Sequence, residues 1–397
     1  MTRLNRHPII DAIRRNPVRV LGINSGTSVD GLDGALVEMT QKRGRREYRV
    51  IRTFSRAFPP TMREAILRIS AADQISKQEV VQMQFALGRF IGRTAARWTR
   101  QCGRVDLIAS HGQTIAHYPF GARKATWQIG TLNEIAQMTG QMTIGDFRPA
   151  DIAAGGMGAP LSGYYHHLIF GAGVPVLNIG GLANISVSRM VRGRLSVTAF
   201  DSGPGNMLID ALSERLLDHP FDRNGHAASR GKPDARAVNA VLAHPYFRLS
   251  PPKTCGREEF GWGQMRRIFA ERGLAPVDAL ATAVEITAWS IADATRKWIA
   301  PKTEERALVI SGGGGRNAYL LMRLQEYLGD WQLTTPDGWG VPSRYLESVG
   351  FAALGIETLQ ARAGNLGGAT GAKRPAVLGL IALPLRRGGL RSFAPHP

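Results

Sequence analysis

Alternating apolar and polar positions predict a strand, a polar turn and a second strand near the beginning of the chain. The segment VRVLGINSGTSVDGLDGALVEM, residues 18–39, has β-branched and apolar residues at alternate positions on both sides of its turn. A simple hairpin needs about two turn residues. The turn GINSGTSVDG is longer and rich in hydroxyl groups. Hydroxyls and free backbone N–H groups in such a turn are suited to holding an anion.

The same strand–turn–strand pattern returns later in the chain. VPVLNIGGLANISVS, residues 174–188, repeats it, and LSVTAFDSG adds a further strand before the helical spacing of NMLIDALSERLL. ALVISGGGGRNAYLLMRLQEYL, residues 307–328, predicts a strand, a glycine turn and a helix. The repetition indicates an α/β protein with two related domains and a cleft between them.

Two segments of the first half complete the pattern. SKQEVVQMQFALGRFIGRTAARWTR predicts a helix over residues 76–100 with Ser76 as N-cap. VDLIASHGQTIAHYP predicts a buried strand that runs into a polar loop. We expect a first domain over residues 1–157, with a basic extension at 1–18, a second over 158–370, and a C-terminal segment with a basic tail at 371–397.

Length and composition agree with two globular domains. The chain has 397 residues, 44% of them hydrophobic, and 46 glycines against 22 prolines, which favours tight turns over disorder. Cys102 and Cys255 are the only cysteines, so a disulfide framework is not indicated and a cytoplasmic location is expected. No apolar run approaches the roughly 20 residues that span a bilayer, so membrane insertion is not expected.

A formal net charge of +19 is the most unusual bulk property. Arginines and lysines gather at both ends, and basic ends can bind nucleic acid or anionic lipid. The chain has none of the standard nucleic-acid-binding signatures. We therefore expect solvated tails and attraction for anionic substrates, with no nucleic-acid partner.

The glycine-rich segments allow two kinds of nucleotide site. No GxxxxGK[ST] P-loop is present. SGGGGRNA fits a loose GxGxxA dinucleotide pattern through Gly313, Gly315 and Ala318, with Asp337 roughly where an acidic residue belongs. Consecutive glycines satisfy many templates, so a dinucleotide dehydrogenase is the weaker alternative.

The two hairpin turns and the glycine turn together resemble the nucleotide site of the actin, Hsp70 and sugar-kinase superfamily. GINSGTSVDG resembles its first phosphate loop, LNIGGLANIS its second, and ISGGGGRNA the segment that packs on adenosine. The resemblance implies an actin-like ATPase fold of two duplicated RNase H-like domains and an ATP site. The residues it assigns to ATP are Gly26, Thr27, Ser28, Val29, Asp30, Gly31, Leu32, Asp33, Gly180, Gly181, Asn184, Gly312, Gly313, Gly314 and Asn317.

One departure from that superfamily concerns the metal. Asn24 and Asn178 stand where the superfamily usually has Asp. A neutral amide holds Mg²⁺ or its waters less strongly than a carboxylate does. The Mg²⁺ contact is therefore expected from other acids, with Asp30, Asp33 and Asp201 as candidates, of which Asp30 and Asp33 are favoured.

A narrower resemblance rests on eight motifs that occur in order from Ser25 to Leu324. They are SGTSVDGLD, SHGQTIAHYP, QIGTLNEIAQMTG, DFRPADIAAGGMGAPL, LNIGGLANIS, FDSGPGNMLID, PPKTCGREEF and SGGGGRNAYLLMRL. Together they are similar to the anhydro-N-acetylmuramic acid kinase family. The resemblance implies a cytoplasmic homodimer of peptidoglycan recycling. With ATP and water it would convert 1,6-anhydro-N-acetylmuramic acid into N-acetylmuramic acid 6-phosphate.

The same resemblance names two catalytic carboxylates. Asp201, by match to the DSGPGN-type motif, is the base that activates water. The structural alternative is that Asp201 caps the following helix, although Asn206 is itself a plausible cap. Glu347, which matches an acidic family position, supports the base or is a solvated glutamate at a helix start.

Substrate contacts are expected from Gln113, Asp146 and Arg148. The Arg148 guanidinium suits the lactyl carboxylate of the sugar, and a structural pair of Arg148 with Asp146 or Asp151 is the alternative. His111 either reaches substrate or is a satisfied core residue.

Three positions leave the sugar open, because Pro149 and Ala150 often are arginine in the family and Met157 often is glutamine. The alternatives are a kinase for another 1,6-anhydrosugar such as levoglucosan, and a nucleotide-dependent regulatory protein on the same fold.

Overall fold

The computed structural model describes residues 8–26, 28–43, 45–72 and 74–385. The strands are β1 (Val18–Asn24), β2 (Gly31–Lys42), β3 (Arg45–Ala57), β4 (Leu107–Ser110), β5 (Gln113–Tyr118), β6 (Ala125–Ile129), β7 (Thr143–Gly145), β8 (Val176–Ile179), β9 (Leu182–Val191), β10 (Arg194–Pro204), β11 (Ala307–Ser311), β12 (Gln332–Thr334) and β13 (Leu380–Ala382). The α-helices are α1 (Pro8–Ile13), α2 (Pro60–Ala71), α3 (Lys77–Cys102), α4 (Leu132–Thr139), α5 (Arg148–Ala153), α6 (Ser162–Phe170), α7 (Met207–Leu217), α8 (Ala235–Leu242), α9 (Arg257–Phe260), α10 (Trp262–Arg272), α11 (Pro276–Ala294), α12 (Ala318–Leu328), α13 (Leu346–Leu359) and α14 (Gly367–Thr370).

The chain divides into two compact units. The first contains the chain up to Ile169 and again from Tyr345 onward, and the second spans Phe170–Arg344. This division differs from the expected second domain over 158–370, because α13 packs on β1, β2 and β4 of the first unit. Nearly every residue of α13 is buried. A helix that is apolar all round needs neighbours on every side, and the first sheet supplies one of them.

The first unit is built on a six-stranded sheet in the order β13-β7-β4-β1-β2-β3. β1 is parallel to β4 and antiparallel to β2. Every residue of β1 after Arg19 is buried, as expected for a central strand covered on both faces. α3 buries residues at helical spacing, from Val80 to Trp98, so its predicted helix is confirmed.

The second unit repeats this topology in a five-stranded sheet with the order β10-β9-β8-β11-β12. β8, β9 and β10 form an antiparallel meander, and β11 and β12 are parallel to β8. The predicted duplication of the strand–turn–strand unit is therefore confirmed. The antiparallel meander also rules out the dinucleotide-binding alternative, because that fold requires a mostly parallel sheet.

Local expectations needed three corrections. Gln113–Tyr118, expected as a polar loop, is β5 and pairs with β6, because its residues alternate across a two-stranded ribbon. Leu380–Ala382, expected in a separate C-terminal segment, pairs with β7 at the edge of the first sheet. Ser76 occupies the N-cap position of α3, but its side chain makes no capping hydrogen bond. The basic residues at 3, 6, 386, 387 and 391 lie outside the described residues.

No helix in the described ranges has the length and apolarity to cross a membrane.

Gly22 in β1 allows α13 to lie close against the sheet. A Cβ placed on Gly22 would stand 1.9 Å from the backbone oxygen of Ser348 and 3.0 Å from the Ala352 side chain. We expect Gly22→Ala to lower the free energy of unfolding by about 2–3 kcal/mol, because β1 and α13 must separate to admit the methyl group. A urea titration measures this loss. Gly263→Ala in α10 is the control, since a Cβ there meets nothing within 4 Å, and a comparable loss in both variants would contradict the packing argument.

Candidate active site

The turn between β1 and β2 is anchored by the last residue of β1 and by the first residue of the turn. Asn24 Nδ2 donates to Glu347 Oε2 at 2.5 Å, and Ser25 Oγ donates to Gln113 Oε1 at 2.5 Å. Gln113 is buried and its Nε2 donates to the Thr114 carbonyl at 3.3 Å. The Gln113 amide therefore holds the start of the turn, a role that its position in the sequence did not reveal.

Val29 adopts an unusual backbone conformation within this turn. Its φ is 55° although it is β-branched and buried, and its N–H donates to the Gly26 carbonyl at 3.2 Å. A β-branched residue in the left-handed region is strained, and such strain is typical of functional turns. Ser28 is exposed beside it. Thr27, the other predicted phosphate-binding hydroxyl, lies outside the described residues.

Asn24 and Asp33 are cross-strand neighbours, as are Asp33 and Ser55. Ser55 Oγ donates to Asp33 Oδ1 at 2.5 Å. Asp30 is instead largely exposed, with Arg63 Nε 3.7 Å from its carboxylate. The two acids predicted to bind metal therefore have different surroundings.

These donors can be tested against the chemistry of Mg²⁺. Among the described residues, no group of three or more His, Cys, Asp or Glu side chains is placed to hold a metal ion. Mg²⁺ usually takes one or two carboxylates, with waters and substrate phosphates completing its shell. Asp33 is close enough to Glu347 for its charge to add to the rise that burial causes in the pKa of Glu347, and Asn24 lies beside both residues. This set of oxygen donors fits Mg²⁺ better than Asp30 does.

His111 and Arg148 form a buried pair in the first unit. Arg148 Nε donates to His111 Nε2 at 2.9 Å, so His111 carries its proton on Nδ1, 3.2 Å from the Gly112 carbonyl. The His111 ring stacks on Phe351 at 4.5 Å between centroids. Burial, and then the charge of Arg148, hold the pKa of His111 well below its usual value. His111 is thus a neutral, hydrogen-bonded support for Arg148.

The structural pairings considered for Arg148 do not occur. Within the described ranges, no ion pair joins Arg148 to Asp146 or Asp151; Nη1 donates to the Gly158 carbonyl at 3.3 Å instead. The Asp151 carboxylate accepts hydrogen bonds from the Gly158 N–H and from the side chains of Asn365 and Thr370. Asp146 has a positive φ of 55° and is partly buried, and this burial raises its pKa.

Glu347 lies in the first turn of α13 and keeps contact with solvent. The protein groups packed around its carboxyl displace water and raise its pKa. The hydrogen bond from the Asn24 amide and the charge of the Arg148 guanidinium oppose that rise. Glu347 therefore begins a helix, as one of the two sequence readings expected, and it also contacts Asn24. Its support of the base Asp201 stays a prediction.

In the second unit, Asn178, Asn184 and Asp201 lie side by side on β8, β9 and β10. The Asn184 side-chain oxygen is buried and has no hydrogen-bond partner among the described residues. The pairing of β9 with β10 shifts its register between Asp201 and Gly203. Such a bulge redirects a side chain and is common near active sites.

Asp201 is held by the segment that ends in Thr254 and Cys255. Thr254 Oγ1 donates to Asp201 Oδ2 at 2.5 Å, and the Cys255 N–H donates to the same oxygen at 3.1 Å. Asp201 therefore does not cap α7, which rules out that alternative. Asn206 occupies the N-cap position of α7, but its side chain also makes no capping bond; its Nδ2 lies 3.4 Å from the Ile179 carbonyl.

The pKa of Asp201 is raised above its ordinary value. Burial is the main cause, and the bonds from Thr254 and Cys255 and the charge of Lys253 oppose it. A carboxylate with a raised pKa is a stronger base while it remains ionised. The arrangement therefore suits removal of a proton from a water molecule.

The predicted second phosphate loop, LNIGGLANIS, and the glycine turn are in contact. The carbonyls of Gly180 and Gly181 accept hydrogen bonds from the N–H groups of residues 205–207, at the start of α7. Gly312 has φ 83° and ψ 176°, and a Cβ there would stand 2.3 Å from Asn178 Oδ1 and 2.6 Å from the Ile179 carbonyl. Glycine is therefore required at position 312 both by conformation and by space.

Asn317 has a structural role that its place in the motif did not reveal. Its Oδ1 accepts the Leu320 N–H at 3.0 Å and caps α12. The adjoining Ala318 N–H donates to Asn224 Oδ1 at 3.2 Å, which brings the loop after α7 onto the glycine turn. A cavity of about 560 Å³ lies between this loop and α7. Its lining includes Ser213, Leu217, Phe221, Arg223, His226 and Ala227.

Comparison with known proteins finds a matching family and relatives along nearly the whole chain. The family model for anhydro-N-acetylmuramic acid kinase matches residues 18–384. The anhydro-N-acetylmuramic acid kinase of Xanthomonas oryzae pv. oryzae (strain MAFF 311018) is 39% identical over 369 residues, which cover 91% of this chain and 96% of that protein. The protein of the same name from Coxiella burnetii (strain Dugway 5J108-111) is 36% identical over 370 residues, 91% of this chain and 97% of its own. Among solved structures, ligand-bound xylulose kinase from Lactobacillus acidophilus aligns with a TM-score of 0.45 at 10% identity, over 93% of this chain and 94% of that one.

Proposed function

The chain belongs to the anhydro-N-acetylmuramic acid kinase family, and we propose that it opens 1,6-anhydro-N-acetylmuramic acid with water and phosphorylates O6 at the expense of ATP. The products are N-acetylmuramic acid 6-phosphate and ADP. The observation that carries this proposal is the Asp201 carboxylate, one oxygen of which is fixed by Thr254 and Cys255. The sequence around it, FDSGPGNMLID, resembles the motif expected to carry the base in this family.

The reaction balances with a single base. Asp201 takes a proton from water, and the water oxygen bonds to the anomeric carbon C1. The bond between C1 and the bridging oxygen breaks, and its electron pair stays on O6. O6 bonds to the γ-phosphorus while the bond from phosphorus to the β,γ-bridging oxygen breaks, and that electron pair leaves with ADP. An inverting glycosidase needs a second, protonated carboxyl for the leaving oxygen, whereas phosphorus takes the place of that proton here.

The two strand–turn–strand units are proposed to bind the phosphates. Gly26, Ser28 and the neighbouring N–H groups of the first turn, and Gly180 and Gly181 of the second, are suited to phosphate oxygens. Asp33, with Asn24 and Glu347 nearby, would hold Mg²⁺, and the ion would supply positive charge that offsets the charge of the transferring phosphoryl group. In addition, Glu347 is proposed to orient the Asn24 side chain through the hydrogen bond that it accepts from Nδ2.

The nucleoside end of ATP is proposed to occupy the cavity between α7 and the following loop. Its volume of about 560 Å³ is within the range of small-molecule sites, roughly 300–1,000 Å³. Phe221 and Arg223 lie together there, with the guanidinium 5.8 Å from the ring centroid, a pair on which a base can stack. Ser213 is fully buried and its hydroxyl has no hydrogen-bond partner in the described ranges.

The assay that tests the proposed function follows product formation by mass spectrometry. The protein is incubated with Mg-ATP and, in parallel, with 1,6-anhydro-N-acetylmuramic acid, levoglucosan and free N-acetylmuramic acid. A 6-phosphosugar from the anhydro-muramic substrate supports the proposal. Product from levoglucosan alone would mean that the proposed substrate is wrong and that a different anhydrosugar is phosphorylated. ATP binding without any product would favour a regulatory protein.

Arg148 is expected to bind the lactyl carboxylate. His111 accepts from Nε and the Gly158 carbonyl from Nη1, whereas Nη2 has no hydrogen-bond partner among the described residues and is proposed to bind the substrate. Arg148→Lys removes this fixed geometry while it keeps the charge. We expect KM for 1,6-anhydro-N-acetylmuramic acid to rise about tenfold or more, with kcat little changed. Steady-state kinetics measure both, and an unchanged KM would contradict the assignment. Asp146 and Gln113 are proposed to shape this site without holding the carboxylate.

A homodimeric assembly and a cytoplasmic location are also proposed, on the family membership alone. Light scattering after gel filtration tests the first: a dimer has twice the 43.1 kDa of the chain.

A further inference from the structure

We infer that the segment from Tyr246 to Cys255 acts as a clamp that assigns different tasks to the two oxygens of the Asp201 carboxylate, with Thr254 as the decisive positioning residue. The clamp fixes Oδ2 and leaves Oδ1 to take the proton from water. This inference rests on the proposed function, since it concerns the base of that reaction.

The clamp holds the backbone of Asp201 as well as its carboxylate. The Asp201 N–H donates to the Lys253 carbonyl at 3.1 Å, and the Tyr246 hydroxyl donates to the Asp201 carbonyl at 2.5 Å. Both bonds act beside the register shift in β10, where the regular ladder is interrupted. The clamp thus replaces restraints that an uninterrupted strand would supply.

The two carboxylate oxygens differ in their partners. Oδ2 accepts from the Thr254 hydroxyl at 2.5 Å and from the Cys255 N–H at 3.1 Å. Oδ1 accepts no hydrogen bond from the described residues. A carboxylate oxygen with two donors has little capacity left for a water proton, whereas the free oxygen retains its lone pairs. General-base catalysis depends strongly on such orientation.

The charged and titratable groups around Asp201 come from several elements. Lys253, Tyr246 and Cys255 belong to the clamp, and the Lys253 charge favours the ionised carboxylate. The Lys253 ammonium lies 4.6 Å from the Tyr246 ring centroid. Asp293 of α11 and Lys297 of the π-helical turn Thr295–Ile299 pair with each other at 2.8 Å and interact with Lys253. Glu259 of α9 accepts the Gly256 N–H.

Thr254→Val tests the clamp because valine keeps the shape of threonine and removes its hydroxyl. Loss of a donor to the ionised carboxylate raises the pKa of Asp201. Activity requires that carboxylate to be ionised, so the acidic limb of the kcat/KM profile should move upward by about one pH unit. The plateau of kcat should fall about 10- to 100-fold through misorientation of the base. Thr254→Ser retains the hydroxyl and should restore both values to within about twofold.

Thr295→Val is the matched control. It removes another buried threonine hydroxyl of the same unit, which donates to the Ile291 carbonyl at 2.8 Å. We expect it to leave the acidic limb in place. A Thr254→Val enzyme whose limb and plateau both match those of Thr295→Val would overturn the inference.

A direct titration separates this inference from the proposed function. ¹³C NMR of aspartate-labelled protein follows the Asp201 carboxyl, with Asp201→Asn to assign its signal. A higher pKa of Asp201 in Thr254→Val than in the wild type supports the clamp even if the sugar substrate proves to be different. An unchanged titration overturns the clamp even if the wild type makes the expected product.

Discussion

Asp201→Asn is expected to lower kcat by about 10³-fold or more while nucleotide binding and the thermal midpoint stay near those of the wild type. General-base catalysis supplies about 10²- to 10⁴-fold of rate, and in the proposed reaction it acts on the water that attacks C1. Asparagine has almost the same shape and can still accept from Thr254 and from the Cys255 N–H. The loss therefore isolates the proton-accepting function. Steady-state product formation, calorimetric titration with ATP and a thermal melt measure the three quantities.

The control for this variant is Asp330→Asn. Asp330 is a surface carboxylate of the same unit, with a side chain 79% exposed and Arg306 at 3.9 Å. Removing its charge should change kcat by less than about twofold, because exposed ion pairs contribute little. If Asp201→Asn kept more than a tenth of the wild-type kcat, another group would have to be the base.

Gly312→Ala is expected to weaken ATP binding about tenfold or more and to lower the free energy of unfolding by about 3 kcal/mol. The backbone at φ 83°, ψ 176° lies in a region almost restricted to glycine, which costs other residues about 1–3 kcal/mol. The added Cβ would also stand 2.3 Å from Asn178 Oδ1. Relief of that contact must move the glycine turn away from the end of β8, where the proposed second phosphate loop begins. Calorimetric ATP titration and urea unfolding measure the two effects.

Gly313→Ala is the control for Gly312→Ala, because it adds a methyl group to the same turn at a residue whose φ is not positive. The nearest atom to a Cβ on Gly313 is Asn206 Nδ2 at 3.7 Å, an ordinary contact. Its unfolding free energy should therefore stay within about 0.5 kcal/mol of the wild type. Equal destabilisation at both positions would mean that the turn tolerates no side chain at all, and that the argument from backbone angle is wrong.

The sequence predicted the duplicated α/β architecture well because its signals are local. A period of two on either side of a polar turn is visible at residues 18–39 and again at 174–188, and each pattern became a pair of antiparallel strands. The placement of α13 was not visible in the same way. The packing of α13 on the first sheet depends on the close approach of Gly22 and Ser348. These residues are far apart in the sequence, and local periodicity does not predict which distant residues will pack together.

The candidate site shows the same limit. Motif matching brought out Asp201 and the glycine turns, but hydrogen bonds between distant residues decide what each group does. Ser25 and Gln113 are 88 positions apart, and Asp201 and Thr254 are 53 apart. The PPKTCGREEF motif was recognisable in the sequence, yet its contact with Asp201 emerged only from the structure. Likewise, Arg148 could be paired with Asp146 or Asp151 on paper, and only the structure brings its Nε to His111.

The position of a heavy oxygen in the product tests the central claim most directly. The wild-type protein is incubated with Mg-ATP and 1,6-anhydro-N-acetylmuramic acid in water enriched in ¹⁸O, and the early product is fragmented in a mass spectrometer. Attack of water on C1 with transfer of phosphorus to O6 predicts one ¹⁸O at C1 and none in the phosphate ester. A 6-phosphosugar without ¹⁸O at C1, or with the label in its phosphate, would contradict the mechanism assigned to Asp201.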